Sequence, residues 1–470
     1  MFKIFNPYRI PVLFAILSLA FYLSFAYDLE RSDFLKLIML YGALFIITYL
    51  FLEKWKPNFW FLASVGLLFR LAFLWATPNL SQDFYRFIWD GRLVAQGMSP
   101  YLFTPEMYFA EVSSSLKIII PQADELYRGM GALSAGHFSN YPPINQLFFA
   151  VAGLFSSKSI LGSVIILRIL IILADIGILY FGKKLLQHLN LPVKNIFWYF
   201  LNPLIIVELI GNLHFEGVML FFFIAAIFLL SNGKWFWAAI LIGISVSVKL
   251  IPLLFLPLFL RFFNRPNKTI SKDLKTFEIG IPKLMIFYLI IGIVVALTFL
   301  PFLSFEFLQN FSATIALWFQ NFEFNASIYY IIRWIGFQIV GWNIIEAVGK
   351  ILPVLILLFV LGMAFFRKNN SIQQLLTTML LAISFYFLLS TTVHPWYLAT
   401  PLLLSVFTKY KFPLVWSLMV ILSYSAYGKG GFDENLWLIT LEYISVIGIA
   451  TWELFYKKIN RTITPNLEDI

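Results

Sequence analysis

The chain of 470 residues is 60% hydrophobic and 12% charged, with a mean hydropathy of +0.84, a balance that excludes a water-soluble domain. It has no cysteine, which excludes disulfides, thiolate metal sites and a catalytic thiol. The formal charge of +10 is scattered in short clusters between apolar runs and forms no continuous nucleic-acid-binding face, so the composition predicts an all-α, polytopic transmembrane helical bundle.

Runs long and apolar enough to be read as spans fall at about 10–27, 34–52, 59–77, 162–181, 196–211, 216–231, 235–248, 251–260, 281–300, 344–366, 373–391, 396–408, 413–427 and 436–456, giving twelve to fourteen crossings. The first follows Lys3 and Arg9, and Ser24-Phe25-Ala26 loosely resembles a cleavage site, but the run is long enough to span and an uncleaved first helix is favoured. The short pair flanking Lys249 reads either as two crossings or as one broken, re-entrant element. No inverted repeat of the kind that marks many transporters is visible.

With alternate loops assigned to opposite sides, Lys54, Lys56, Lys183, Lys184, Lys194, Arg261, Arg265, Lys268, Lys272, Lys275, Arg367, Lys368, Lys409, Lys411, Lys457, Lys458 and Arg461 collect on one side. The expectation is that this side is cytoplasmic and that both termini lie there. The other side receives residues 78–161, Gly211–Gly217, 301–343, Thr391–Tyr397 and Gly428–Asn435. The first of these is too long for a connector and too apolar for disorder, and is expected to form amphipathic helices on the outer membrane surface. The chain thereby divides into an N-terminal membrane module, 1–300, with its outer loop at about 78–161, and a C-terminal membrane region, 301–470, with its outer loop at 301–343.

Four polar clusters on the outer side are candidates for chemistry. Ser81-Gln82-Asp83-Phe84-Tyr85-Arg86-Phe87-Ile88-Trp89-Asp90-Gly91-Arg92 begins where the third span ends, placing Asp83 within reach of a lipid headgroup, as a catalytic base or as a helix N-cap. Arg86 and Asp90 are four apart and would form an ion pair on a helix. Glu208, His214 and Glu216 lie in or beside apolar runs, where an ionisable group costs about 2.5–3.5 kcal/mol at a helix centre. They are expected either to meet substrate or, for Glu208, to pair with Arg168 or Arg70. Lys249 precedes the helix-breaking Pro252 and is expected to meet a lipid phosphate or to snorkel to the interface. His394-Pro395-Trp396-Tyr397 offers an imidazole for a phosphate or hydroxyl and two rings for stacking on a sugar, or ordinary interface aromatics. Phe324-Asn325-Ala326-Ser327, with Glu323, is a weaker candidate for the same place. No Gly-rich phosphate loop, His-Glu-x-x-His helix or Gly-x-Ser-x-Gly elbow is present, which leaves a nucleotide-driven mechanism without residues.

In order along the chain, the Tyr-Arg and Trp-Asp-Gly segment after Asp83, Gly-Met-Ser-Pro-Tyr at 97–101, Asn-Pro-Leu at 202–204, Gly-Asn-x-His at 211–214, Lys-Leu-Ile-Pro at 249–252 and His-Pro-Trp-Tyr at 394–397 resemble the GT-C membrane glycosyltransferases. The resemblance is strongest to the polyprenyl- or dolichyl-phosphate-mannose-dependent mannosyltransferases, including the type that acts on GPI precursors. It implies a GT-C bundle and an inverting hexosyltransferase that uses a lipid-phosphate-linked sugar donor and a glycolipid or glycan acceptor outside the cytoplasm, in a bacterial inner (plasma) membrane, with no nucleic-acid partner. By position it makes Asp83 the catalytic carboxylate. Lys249, His394 and Arg92 fall to the donor phosphate, and Tyr85, Arg86, Glu208, His214, Glu216, Trp396 and Tyr397 to substrate binding. Many relatives carry two carboxylates together in this loop, whereas here Gln82 and Phe84 flank Asp83. No metal ligand is therefore assigned, and no cofactor is implied beyond an optional divalent cation. A polysaccharide polymerase or ligase, which relies on late arginines, and a lipid or solute transporter coupled through Glu208 and Lys249 are the competing readings.

Overall fold

A computed structural model describes residues 8–109, 119–264, 275–320 and 322–456. Lys3, Arg265, Lys268, Lys272, Lys457, Lys458 and Arg461 lie outside the described residues, as does the side chain of Lys275. The described chain is helical throughout except for loops, one isolated bridge between Phe324 and Thr392, and a hairpin of two-residue strands, Tyr427–Gly428 with Gly431–Phe432.

Seven described helices are long and apolar enough to cross a membrane: Arg9–Tyr27, Phe34–Trp55, Ile160–His188, Gly280–Phe302, Ile345–Phe366, Ile372–Leu389 and Leu436–Tyr456. Val193–Phe200 and Ile205–Gly211 add an eighth if the two arms, bent by 58°, count as one span. This is a membrane protein, but several of the runs read from sequence as full crossings, among them 59–77, 216–231 and 235–248, form helices of only 10–17 residues. Side chains start the helices where the sequence offers them: Asn58 accepts from Phe61 N at 2.8 Å, Ser159 from Gly162 N at 3.0 Å and Asn435 from Trp437 N at 3.1 Å. Outward-facing rings such as Trp437, 84% exposed, supply the apolar surface that lipid covers.

Charges inside the bundle are matched. Arg70 and Asp175 are both fully buried and form an ion pair in which Arg70 Nε, at 2.7 Å, and Nη2 both donate to Asp175 Oδ2, while Arg70 also donates to Gly66 O and Phe200 O. Arg168 donates to Ile210 O at 2.8 Å, Gly211 O at 2.9 Å, Ala76 O at 2.7 Å and Leu74 O at 3.1 Å. These are orphan carbonyls where two helices end. One guanidinium thus holds together the segments that lead into Asp83 and His214. The expected pairing of Glu208 with Arg70 or Arg168 does not occur, because both arginines are committed to these partners.

The long segment after the third helix folds into short helices that pack on one another. Helix Asp83–Ala95 packs against Pro143–Phe155 so closely that a Cβ on Gly91 would sit 2.1 Å from Phe149 O, and one on Gly153 2.4 Å from Gly91 O. The glycine of the Trp-Asp-Gly segment is therefore a crossing point between two helices. Beside it Arg86 meets Asp90 at 2.7 Å, as their spacing predicts, and Asp90 accepts from Ser139 Oγ at 2.6 Å and Gln146 Nε2 at 3.0 Å.

Candidate functional site

Connectors from six parts of the chain converge at one end of the bundle. Asn79 Nδ2 donates to Phe25 O and Leu29 O at 2.8 and 2.9 Å, and Leu80 N to Asn212 Oδ1 at 3.0 Å. Val393 N donates to Phe324 O at 2.8 Å, and Arg31 lies over the Tyr427 ring at 3.3 Å. At the other end Lys194 Nζ donates to Lys56 O at 3.0 Å, so two of the basic loops meet away from this convergence.

Asp83 opens its helix but caps nothing. Its carboxylate has no hydrogen bond or ion pair among the described residues, while its backbone N–H donates to Ser81 Oγ at 3.3 Å. The side chain is half-buried. Burial raises its pKa, Lys249 and Arg31 pull it back down, and Glu216 pushes it up. A carboxylate at a helix N-terminus, desolvated and flanked by two cations yet bonded to neither, is poised to take a proton from something that enters.

Lys249 closes helix Trp235–Val248 in extended conformation, and its Nζ lies 2.5 Å from Glu216 Oε1 and 5.6 Å from the Tyr141 ring centroid. The partner expected from a lipid is supplied within the chain. Glu216 is fully buried, and its Oε2 has no hydrogen-bond partner. The preceding turn places Leu213 at φ +64°, a strained left-handed conformation that directs the chain into His214.

Trp396 is sandwiched between two imidazoles, His214 at 3.6 Å and 13° and His394 at 4.4 Å and 6°, and Phe324 extends the column at 5.0 Å from His394. Both faces of the indole are covered, so the sugar-stacking role expected of Trp396 is closed to it here. Burial, with the charges of Arg31 and Lys249, depresses the pKa of His394 to about 3, and the same causes with His394 hold that of His214 well below the usual imidazole range. Both rings are neutral, and each offers a hydrogen bond but no charge. His394 Nδ1 and His214 Nε2 are enclosed without hydrogen-bond partners. Tyr397 stands edge-on to His394 at 5.3 Å.

Other expected residues are elsewhere. Arg92, nine residues beyond Asp83 and so about 14 Å along the helix, donates to Pro121 O and to Gln122 Oε1 at 3.2 Å. It holds the loop and does not join Lys249 and His394. Arg86 is spent on Asp90, Ser134 O and His137 O. Tyr85 covers Gly129, where a Cβ would meet its ring at 2.5 Å. Glu208 accepts from Tyr424 Oη at 2.7 Å and stands 3.9 Å from His214 Nε2, behind the column.

Sequence reasoning missed Arg31, Tyr141 and Tyr427. For Arg31 there was a signal: an arginine in the short connector between the first two spans, which alternation puts on the side opposite the Lys54–Lys56 loop, against the usual distribution of basic residues. Tyr141 and Tyr427 carried none. Among the described residues no group of three or more His, Cys, Asp or Glu side chains is placed to hold a metal ion.

The family model described as alpha-(1->6)-mannopyranosyltransferase, N-terminal domain, matches residues 24–264, a stretch that contains Arg31, Asp83, Glu216 and Lys249 and ends before His394. The alpha-(1->6)-mannopyranosyltransferase B of Corynebacterium glutamicum is 26% identical over 171 residues, covering 35% of this chain and 27% of the relative. The chain thus aligns with about a quarter of that curated relative's length. No solved structure matches.

Proposed function

The chain belongs to the alpha-(1->6)-mannopyranosyltransferase family, and on that premise we propose that it is a glycosyltransferase that moves mannose, with inversion, from a polyprenyl-phosphate donor to a hydroxyl of a glycolipid or glycan acceptor on the extracytoplasmic side of the membrane. The observation that carries this reading is the unpaired carboxylate of Asp83 beside Lys249 and Arg31. In the proposed reaction the acceptor oxygen attacks the anomeric carbon and its proton passes to Asp83. The bond from that carbon to the phosphate oxygen breaks, and polyprenyl phosphate leaves with the electron pair. General-base assistance of this kind contributes about 10²–10⁴-fold. An α linkage made by inversion requires a β-linked donor.

Lys249 balances the leaving phosphate, sharing or exchanging its contact with Glu216. His394, being neutral, orients an oxygen by hydrogen bonding. A lipid phosphate presents its reactive carbon at the headgroup level, which matches the position of these side chains at the end of a bundle of apolar spans, and it needs no nucleotide pocket. The basic loops at the other end, two of which meet at Lys194 and Lys56, support placing this end outside.

The test is a donor panel. Purified full-length protein in lipid receives labelled mannose on polyprenyl phosphate or on a guanosine diphosphate carrier, with mannose-ended acceptors. Transfer from the lipid donor alone, lost in Asp83→Asn, is expected. Transfer from the nucleotide donor, or equal transfer by the variant, contradicts the proposal, and efflux of an unmodified solute without transfer favours the transporter reading.

A further inference from the structure

Arg31 is the charged group whose surroundings the proposed reaction leaves unexplained. Its guanidinium makes no hydrogen bond or ion pair among the described residues, Nε is enclosed without a partner, and its neighbour is the face of Tyr427 at 3.3 Å. The buried arginines elsewhere all reach oxygens: Arg70 a carboxylate, Arg168 four carbonyls, Arg86 a carboxylate and two carbonyls. A partly enclosed guanidinium without an oxygen is costly unless an anion is due there.

The charges near Asp83 say where that anion belongs. Lys249 is already matched by Glu216 at 2.5 Å, which leaves Arg31 as the cation near Asp83 that no anion compensates at bonding distance. Its charge acts on Asp83, His214 and His394 together, so it stands beside the same column of rings as Lys249.

We propose that Arg31 is a ligand for the donor's phosphate, held on the face of Tyr427 until that anion arrives. The inference rests on the reading of the site as a polyprenyl-phosphate-dependent transferase. A guanidinium offers a phosphate two parallel N–H donors, which outcompete an aromatic face. The charge count gives Arg31 a further task. The donor is a phosphodiester with one negative charge, and breaking the sugar–phosphate bond leaves a monoester with a second charge developing on the oxygen that held the sugar. A cation beyond the Lys249–Glu216 pair therefore stabilises the leaving group more than the donor, and its loss lowers kcat more than it raises KM.

The experiment compares binding of a polyprenyl monophosphate with binding of the matching uncharged polyprenol, each in mixed micelles, to full-length protein by tryptophan fluorescence. Wild type should prefer the phosphate. Arg31→Gln should lose roughly tenfold or more of that preference, Arg31→Lys less, and Tyr427→Leu, which removes the resting place but not the cation, should keep it. Because Arg31 lowers the Asp83 pKa, Arg31→Gln should also move the acid limb of transfer to higher pH. Preference retained in Arg31→Gln, with matching losses of thermal stability in Arg31→Gln and Tyr427→Leu, makes Arg31 a structural latch and overturns the inference alone. A wild-type protein indifferent to the phosphate overturns it together with the transferase reading.

Discussion

Two aspartates on one helix, seven residues apart, have opposite surroundings. Asp90 is fully buried and bonded to Arg86, Ser139 and Gln146. Asp83, at the helix start, is half-buried and has no bonded partner for its carboxylate among the described residues. A satisfied buried carboxylate fixes geometry, in this case the crossing of Asp83–Ala95 over Pro143–Phe155. An unsatisfied one, kept near cations but out of contact, stores reactivity at some expense of stability.

The sharpest way to break this comparison is to neutralise each aspartate in turn. Asp83→Asn is expected to lower transfer at least 10²-fold while leaving the melting temperature equal or higher. The sign follows from the raised pKa: the folded state favours protonated Asp83, so its stabilising contribution is present at low pH and lost as pH rises through the folded pKa, and at neutral pH the charge is a cost that Asn removes. Asp90→Asn should do the reverse. It leaves Arg86 without its counter-charge in a buried setting, costing about 3–5 kcal/mol, read as a lower yield of folded protein and a lower melting temperature.

The next effect is steric. Gly91→Ala places a Cβ against Phe149 O and should destabilise by about 1–3 kcal/mol, measured as a fall in melting temperature, with Gly153→Ala similar. A smaller change is expected in pH dependence. Wild-type kcat/KM should fall on the acid side at a pH above the ordinary aspartate value, since the base must be ionised and burial raises its pKa. Lys249→Gln should move that limb higher still, because Lys249 is a cation that opposes the shift. The mildest test is of sidedness. The chain has no native cysteine, so Lys429→Cys beside the Tyr427 hairpin and Lys409→Cys at the basic end are each the single thiol of their variant. A membrane-impermeant maleimide applied to intact cells should label the first and spare the second, and the opposite pattern inverts the assigned topology.

What the sequence made legible was local. Asp83 stood out as a carboxylate at the end of an apolar run, and Arg86–Asp90 followed from helical spacing. The apolar runs identified the bundle, yet not which would become full-length helices, since 59–77 shortens to Phe59–Leu71, and 216–231, although helical from end to end, stays at 16 residues. What was hidden was long-range pairing. Glu208 finds Tyr424 across 216 residues and Lys249 finds Glu216 across 33, and the imidazole column joins His214 to Trp396 from opposite halves of the chain. Arg92 misled because proximity in sequence was read as proximity in space, when a helix carries it about 14 Å from Asp83.

Single-turnover transfer of mannose from polyprenyl phosphate, followed against pH for wild type and Asp83→Asn at saturating donor, tests the central claim most directly. The wild-type rate should climb with pH to a plateau, and the variant rate should be at least about 10²-fold lower with no such climb. A variant that keeps the wild-type acid limb, or transfers at a comparable rate, would show that the proton goes elsewhere.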